Sequence, residues 1–195
     1  MSISLQKGES IHLAKPGGDT LKRVILGLGW DVAPPKKSLM RFLGADDTID
    51  LDASCILFDQ KGKIFDAVWF EQLSSRDGSI QHTGDNVTGA GEGDDEQIVV
   101  DLTRVPQSIQ TLIFVVNSFS GQDFDRVSNA HCRLIDADNN REVARYRLDS
   151  QGPHTALIMA QLHREGAEWK MRAIGAPGRG KTFHDLFPSL VQHLP

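Results

Sequence analysis

The sequence has little of what marks an exported, membrane-spanning or nucleic-acid-binding protein. Its 195 residues include only two cysteines and one tyrosine. No apolar run reaches the ~18 residues of a membrane span, and the N-terminal residues alternate instead of forming the apolar block of a signal peptide. We therefore expect a cytoplasmic chain in which Cys55 and Cys132 are buried, reduced thiols.

Basic residues are missing from one long stretch of the chain. No lysine or arginine lies between Arg76 and Arg104, and this window holds seven of the 26 acidic residues. The remainder carries 19 acids against 21 bases, so the net charge of −5 arises in one segment. Without a pervasive basic surface, the chain is not expected to bind nucleic acid.

Short apolar or alternating segments, separated by turn residues, dominate the sequence. Asp59–Lys63 and Asp136–Arg141 each separate two such segments and predict hairpin turns. No linker divides the chain, so we expect one domain over residues 1–195. This pattern predicts an all-β fold, an antiparallel β-sandwich of two sheets with a short C-terminal helix.

Two segments fit the strand pattern less clearly. Thr155–Arg164 consists of good helix formers, yet it equally fits a strand paired with Glu168–Ile174. Phe183–His193 is partly helical in pattern and is interrupted at Pro188. We place the C-terminal helix there and leave both structures open for Thr155–Arg164.

The acidic window contains a glycine-rich segment, Gly84–Glu96. Four of the ten residues from Gly84 to Gly93 are glycine, which allows the backbone to approach a ligand closely. Carboxylates and neutral side-chain oxygens are hard ligands, and calcium accepts about six to eight of them in irregular geometry. Magnesium requires stricter geometry, and zinc prefers cysteine and histidine. A solvated acidic loop is the alternative interpretation.

A second acidic motif precedes the middle of the chain. Asp50 and Asp52 are two residues apart and would share one face of a strand. Loops gather at the two ends of a sandwich, so this pair and Asp31 are expected to face the glycine-rich segment. The number of oxygens predicts one or two calcium ions.

Several motifs resemble the tellurite-resistance TerD-like family, and within it the TerZ branch most. The motifs are GLGWD at Gly27–Asp31, DLDAS at Asp50–Ser54, HTGDNVTGAGEGDDE at His82–Glu96, FVVNSFSGQDFDRVSNAHCRL at Phe114–Leu134 and GAEWKMRAIG at Gly166–Gly175. The resemblance extends over essentially the whole chain. It departs in the Ala33–Asp47 insertion and in the tail after Gly175.

The resemblance implies a calcium site in a β-sandwich and a role in resistance to tellurite and other stresses. The implied metal ligands are Asp31, Asp50, Asp52, Asp85, Asn86, Glu92, Asp94, Asp95 and Glu96. No settled enzymatic activity comes with the family. Expected partners are other proteins of the stress-resistance system, with peripheral association at the inner membrane face as a further expectation.

Two functions from different classes follow from these observations. The first is a non-enzymatic binding or scaffold module that calcium orders. The alternative is a metal-dependent hydrolase acting on a small phosphorylated metabolite, because metal sites activate water. Only the metal-type ligands are visible in the sequence, and no catalytic residue is assigned.

Three further features carry competing interpretations. Gly175–Thr182 matches the P-loop pattern G-x-x-x-x-G-K-[ST], but the antiparallel context makes this a coincidence. His82 adjoins the acidic segment and is expected to be a surface histidine or to support a metal ligand. The 31–49 segment carries Lys36, Lys37 and Arg41, and it is either a packed surface turn of helix or a docking element for a partner or anionic lipid.

Overall fold

Within the residues that the structure describes, the fold is a sandwich of two six-stranded sheets. The computed structural model describes residues 2–15, 17–32, 50–84, 93–147 and 152–195. Sheet A has the order β1 (Ile3–Leu5), β10 (Arg141–Arg147), β9 (Val127–Asp136), β3 (Arg23–Val32), β7 (Glu96–Asp101), β6 (Ile80–His82). Sheet B has the order β2 (Ser10–His12), β12 (Glu168–Gly178), β11 (Ala156–Glu165), β8 (Ile109–Ser118), β4 (Leu51–Asp59), β5 (Ile64–Val68).

Neighbouring strands among the described residues are antiparallel, except that β1 and β10 pair in parallel at the edge of sheet A. The predicted hairpins are both present. The Asp59 carboxylate accepts hydrogen bonds from the backbone N–H groups of Lys61 and Lys63 in the first, and Asn139 donates to Asp136 in the second. Side-chain hydrogen bonds of this kind favour tight turns. The predicted antiparallel β-sandwich is therefore confirmed.

The main core lies between the two sheets. Along β4, Leu51, Ala53, Cys55 and Leu57 face this core, because successive side chains of a strand point to opposite faces. The alternate residues Ile56 and Phe58 face the other side of sheet B and are equally buried. Sheet B is thus covered on both faces in this region.

The C-terminal segment covers the outer face of sheet B. It consists of a 3-10 turn (Phe183–Leu186), a short α-helix, α1 (Phe187–Leu190), and a final 3-10 turn (Val191–His193). Phe183, Leu186 and Leu190 pack against the outward residues of β4, β8 and β11. The predicted short C-terminal helix is present, and burial of its apolar side chains explains its position.

The structure decides the open question about Thr155–Arg164. The segment is strand β11, hydrogen-bonded to β8 on one side and to β12 on the other. Burial on both faces of the sheet overrides its helix propensity. Cys55 and Cys132 are free and buried, as expected. No helix among the described residues is long and apolar enough to cross a bilayer.

Candidate functional site

One end of the sandwich brings together the described carboxylates that the sequence analysis singled out. At this end β3 finishes beside the start of β9, with Asp31 opposite Ser128. Also at this end, β4 starts opposite Ser118 of β8. We call this region the acidic end and define it by its acidic residues: Asp31, Asp50, Asp52, Asp94, Asp95 and Glu96.

The side chain of Asp94 lies on the outer face of sheet A and is fully buried. Its Oδ1 accepts a hydrogen bond from Arg133 Nε at 2.6 Å, and its Oδ2 accepts from Arg133 Nη2 and Gln97 Nε2, both at 3.0 Å. The carboxylate in turn raises the pKa of the Arg133 guanidinium. Both oxygens of Asp94 are therefore held by protein donors.

Gly27 permits this position of Asp94. A Cβ atom on Gly27 would lie 2.0 Å from Asp94 Oδ2, far inside van der Waals contact. The glycine of the GLGWD motif is thus required for the close approach of the carboxylate to the strand.

Glu96 lies in the interior, between the two sheets. Its Oε2 accepts a hydrogen bond from the backbone N–H of Ala53 in sheet B at 2.6 Å. His82 Nε2 is 3.4 Å from the same oxygen, and both side chains are buried. Glu96 joins sheet A to sheet B. His82 is not at the surface as one interpretation expected, because it packs beside this buried carboxylate.

Asp95 and Asp31 form the part of the acidic end nearest β3. Asp95 Oδ2 accepts from the Trp30 N–H at 2.8 Å, and Asp31 Oδ2 accepts from Asn129 Nδ2 at 2.6 Å. Burial raises the pKa of Asp95, and the charges of Asp31 and Asp94 add to this effect, against the opposing Trp30 hydrogen bond and His131. A nearby cation would favour the ionised carboxylate.

Asp52 lies in β4 of the other sheet, and Asp50 immediately precedes that strand. Asp52 is 5% exposed and lies directly opposite Asn117 of β8. It shares its strand face with Ile56 and Phe58, on the outer side of sheet B. The carbonyl oxygen of Asp50 accepts a hydrogen bond from Phe119 N–H.

Asn117 is a polar residue of this region that the sequence analysis did not single out. The residue is 1% exposed, and its Nδ2 donates to the carbonyl oxygen of Gly180 at 3.3 Å. Its Oδ1 has no hydrogen-bond partner among the described residues. Its position in the FVVNSFSG motif is the sequence feature that could have identified it. A buried amide oxygen without a donor is uncommon and is suited to a cation.

The described carboxylates share one end of the sandwich but not one face. Asp94 lies outside sheet A, Glu96 lies between the sheets and Asp52 lies outside sheet B. Accordingly, no group of three or more His, Cys, Asp or Glu side chains among the described residues is arranged to hold a metal ion. Asp85, Asn86 and Glu92 lie outside the described residues, as does the 33–49 part of the 31–49 segment, so the predicted ligand set stays a prediction.

The P-loop-like segment is built differently from a phosphate-binding loop. Gly175–Gly178 is the end of strand β12, paired with β11. The N–H groups of Lys181 and Thr182 donate to the carboxylate of Asp185 at 2.8 and 3.3 Å, in the place where a P-loop would present N–H groups to phosphate. This arrangement supports the interpretation of the sequence match as a coincidence.

Comparison with known proteins places the fold and the motifs in a family. The TerD domain family model matches residues 1–188. The tellurium resistance protein TerZ of Serratia marcescens is 43% identical over 97% of both chains. The stress response protein SCP2 of Bacillus subtilis (strain 168) is 40% identical over 98% of this chain and all of its own.

A solved structure shows the same fold. It is the crystal structure of a homologue of telluride resistance protein (TerD) from Streptomyces coelicolor A3(2), which superposes with a TM-score of 0.66. The two sequences are 24% identical, and the match covers 82% of this chain and 92% of the other. The predicted resemblance to the TerD-like family and its TerZ branch is confirmed.

Proposed function

The chain belongs to the TerD domain family, and from this premise we propose that it is a calcium-ordered binding module in tellurium resistance or the general stress response. The names of the relatives supply the physiological context. The acidic end supplies the calcium hypothesis. The observation that carries it is the buried Asn117 Oδ1, which lies opposite Asp52 and has no hydrogen-bond donor among the described residues.

The donor types at the acidic end suit calcium. Carboxylate and amide oxygens are the ligands that calcium prefers, and irregular geometry is acceptable to it. Asp50, Asp52 and Asn117 would contribute from sheet B. Asp31 and Asp95 would contribute from the neighbourhood of β3. These two groups of oxygens correspond to the one or two ions that we propose.

The described residues supply only part of such a site. Asp85, Asn86 and Glu92 are proposed to complete it from the glycine-rich segment. Asp94 and Glu96 already accept hydrogen bonds from Arg133 and Ala53. We assign these two a positioning role, because they anchor the start of β7 to β9 of the same sheet and to β4 of sheet B.

Bound calcium would supply positive charge at an end of the protein that is rich in carboxylates. Neutralising them removes mutual repulsion and stabilises the folded chain by mass action. A neutralised and ordered end is a surface on which other proteins of a resistance system could dock. The partners, the cytoplasmic location and any peripheral membrane contact remain predictions within this proposal.

Calorimetric titration with calcium, combined with thermal melts, tests the proposal. We expect saturable heat in the native protein and a rise in melting temperature with calcium. Asp52→Asn and Asp95→Asn should each weaken binding, and the double variant should lose it. Glu168→Gln is the matched control, because this exposed acid is the first residue of β12, at the opposite end of the sandwich.

Two results would count against calcium. One is the absence of heat and of any thermal shift at millimolar calcium in the native protein. The other is an equal loss of affinity in Glu168→Gln, which would indicate unspecific counterion binding. The alternative of a metal-dependent hydrolase is distinguished by turnover of phosphorylated metabolites with magnesium or manganese, which the binding module should not show.

A further inference from the structure

A polar cavity lies on the outer face of sheet A, away from the acidic end. Its volume is about 180 Å³, several times the ~30 Å³ that a water molecule occupies in the liquid. It is formed by β3, β6 and β7 and by the turn before β6, and its lining includes Arg23, Gly78, Ser79, Gln81, Asp101 and Arg104. Arg23 and Asp31 are eight residues apart on the same strand, or about 26 Å.

Two arginines of this cavity form no salt bridge with a carboxylate of the described residues, although the charge of Arg23 helps to lower the pKa of Asp138. Arg23 lies opposite Asp101 in the β3–β7 register, yet the two side chains form no salt bridge. Arg104 donates one hydrogen bond, from Nη2 to the backbone oxygen of Asp77 at 3.2 Å. Asp101 uses its Oδ1 to accept from the N–H and the hydroxyl of Thr103. The lining therefore carries two positive charges, from Arg23 and Arg104, and one negative charge, from Asp101.

A buried hydroxyl in the cavity wall also lacks a partner. Ser79 is 3% exposed, and its Oγ makes no hydrogen bond to any described residue. The hydrogen of a serine hydroxyl rotates about the Cβ–Oγ bond, so the hydroxyl can donate to a nearby oxygen acceptor. Buried hydroxyls are normally satisfied, and this one is available to donate to an anion held by the two arginines.

The turn that carries Ser79 is held in place. Asp77 Oδ1 accepts from the Ser79 N–H at 2.7 Å and from Ser75 Oγ at 2.9 Å, and the Ile80 N–H donates to Ser75 Oγ. Gly78 has φ +69, and a Cβ there would lie 3.1 Å from Arg104 Nη2. The glycine thus leaves room for the guanidinium beside the turn.

We propose that this cavity binds a small phosphate-type oxyanion through Arg23, Arg104 and the hydroxyl of Ser79. Guanidinium groups form two-pronged, charge-assisted hydrogen bonds with such anions. The hydroxyl adds a directional donor. The site is separate from the acidic end, so it does not depend on the calcium proposal.

Titration of the full chain with inorganic phosphate, followed by amide chemical shifts and calorimetry, tests this site. Saturable shifts are expected in residues 78–81 and at Arg104, with chloride at equal ionic strength as the reference. Arg104→Gln should weaken binding by about tenfold or more. Ser79→Ala should weaken it less and retain the fold, which keeps the test valid if the arginine variant is unstable.

Arg172→Gln is the matched control, since Arg172 is an exposed strand arginine on sheet B. Its phosphate affinity should equal that of the native protein. Glycerol 3-phosphate serves as a second probe: tighter binding than phosphate identifies a phosphate ester as the ligand class, and equal or weaker binding identifies the free oxyanion. The proposal is overturned if phosphate does not saturate, or if Arg104→Gln and Ser79→Ala bind as the native chain does.

Discussion

Arg133 and Asp94 form a two-pronged ion pair on the outer face of sheet A, with Nε–Oδ1 at 2.6 Å and Nη2–Oδ2 at 3.0 Å. Asp94 belongs to the most acidic stretch of the sequence, and the sequence does not distinguish it from a solvent-exposed carboxylate. In the structure it is buried, and its charge is balanced by a strand that is distant in sequence. Some carboxylates of the acidic end therefore hold strands together through buried hydrogen bonds.

A substitution at Gly27 tests how closely the Asp94 carboxylate packs against strand β3. Gly27→Ala would place a Cβ 2.0 Å from Asp94 Oδ2, and we expect the free energy of unfolding to fall by about 1–3 kcal/mol from overpacking. Urea denaturation measures it. In an Asp94→Ala background the same substitution should cost much less, because the clashing carboxylate is gone. An equal cost in both backgrounds would contradict the role of Asp94.

Glu96 is predicted to join the two sheets through the Ala53 N–H. Glu96→Ala leaves this buried donor without its acceptor, so the free energy of unfolding should fall by roughly 1–3 kcal/mol or more. Glu96→Gln keeps an acceptor oxygen of the same shape and should retain more stability. Thermal and urea unfolding of the two variants provide the comparison. The bridging role fails if the glutamine variant is as unstable as the alanine variant.

The ion pair of Glu142 and Arg145 at the edge of sheet A makes the stability of the protein depend on pH. Hydrogen bonding from Arg145, at 2.7 Å, together with Ser2 and the charge of Arg133 lowers the pKa of Glu142 to about 2, against the effect of burial. A depressed folded-state pKa stabilises the protein above the unfolded value of 4.5, and this is lost as the pH falls towards 2.

Glu142→Gln should therefore destabilise the protein at neutral pH by about 1 kcal/mol, a value reduced for solvent screening. The difference from the native protein should shrink between pH 4.5 and 2. Unfolding free energies measured across this range check it. A difference that is the same at both ends of the range would assign the effect to packing instead of charge.

Both thiols are predicted to be inert in the native protein. Burial raises the pKa of Cys55 and of Cys132, and the nearby charges of Asp66 and Asp94 raise them further. The reactive thiolate is therefore scarce at neutral pH. A thiol-reactive chromogenic disulfide should label neither residue before unfolding and both in denaturant. Rapid labelling of one thiol in the native state would contradict the buried positions.

Much of the fold was predictable because local signals and packing agree. Asp59–Lys63 and Asp136–Arg141 form the expected turns, and the alternating segments on either side form the expected strands. Thr155–Arg164 was ambiguous because short apolar segments have similar patterns in buried strands and helices. Pairing with both β8 and β12 decided it, and this pairing is a property of the whole sheet.

The site was less predictable than the fold. Its position at one end of the sandwich follows from the spacing of the motifs and the topology of the strands. Composition does not predict the roles of its members. Asp94, Asp95 and Glu96 are consecutive carboxylates in the sequence, yet Asp94 lies on the outer face of sheet A and Glu96 lies between the two sheets. The burial of His82 is also a tertiary property, since it packs beside the buried carboxylate of Glu96.

The sequence by itself determined the family, the β-sandwich and the presence of a region dense in carboxylates, because these depend on local pattern and on motifs. Tertiary structure alone decided which carboxylates have protein partners. Asp94 precedes strand β7, so the alternation of that strand does not apply to it, and it lies on the opposite face of sheet A from Glu96. Their partners, Arg133 and the Ala53 N–H, come from strands that are distant in sequence. Partners of that kind are set by register and packing, which composition does not encode.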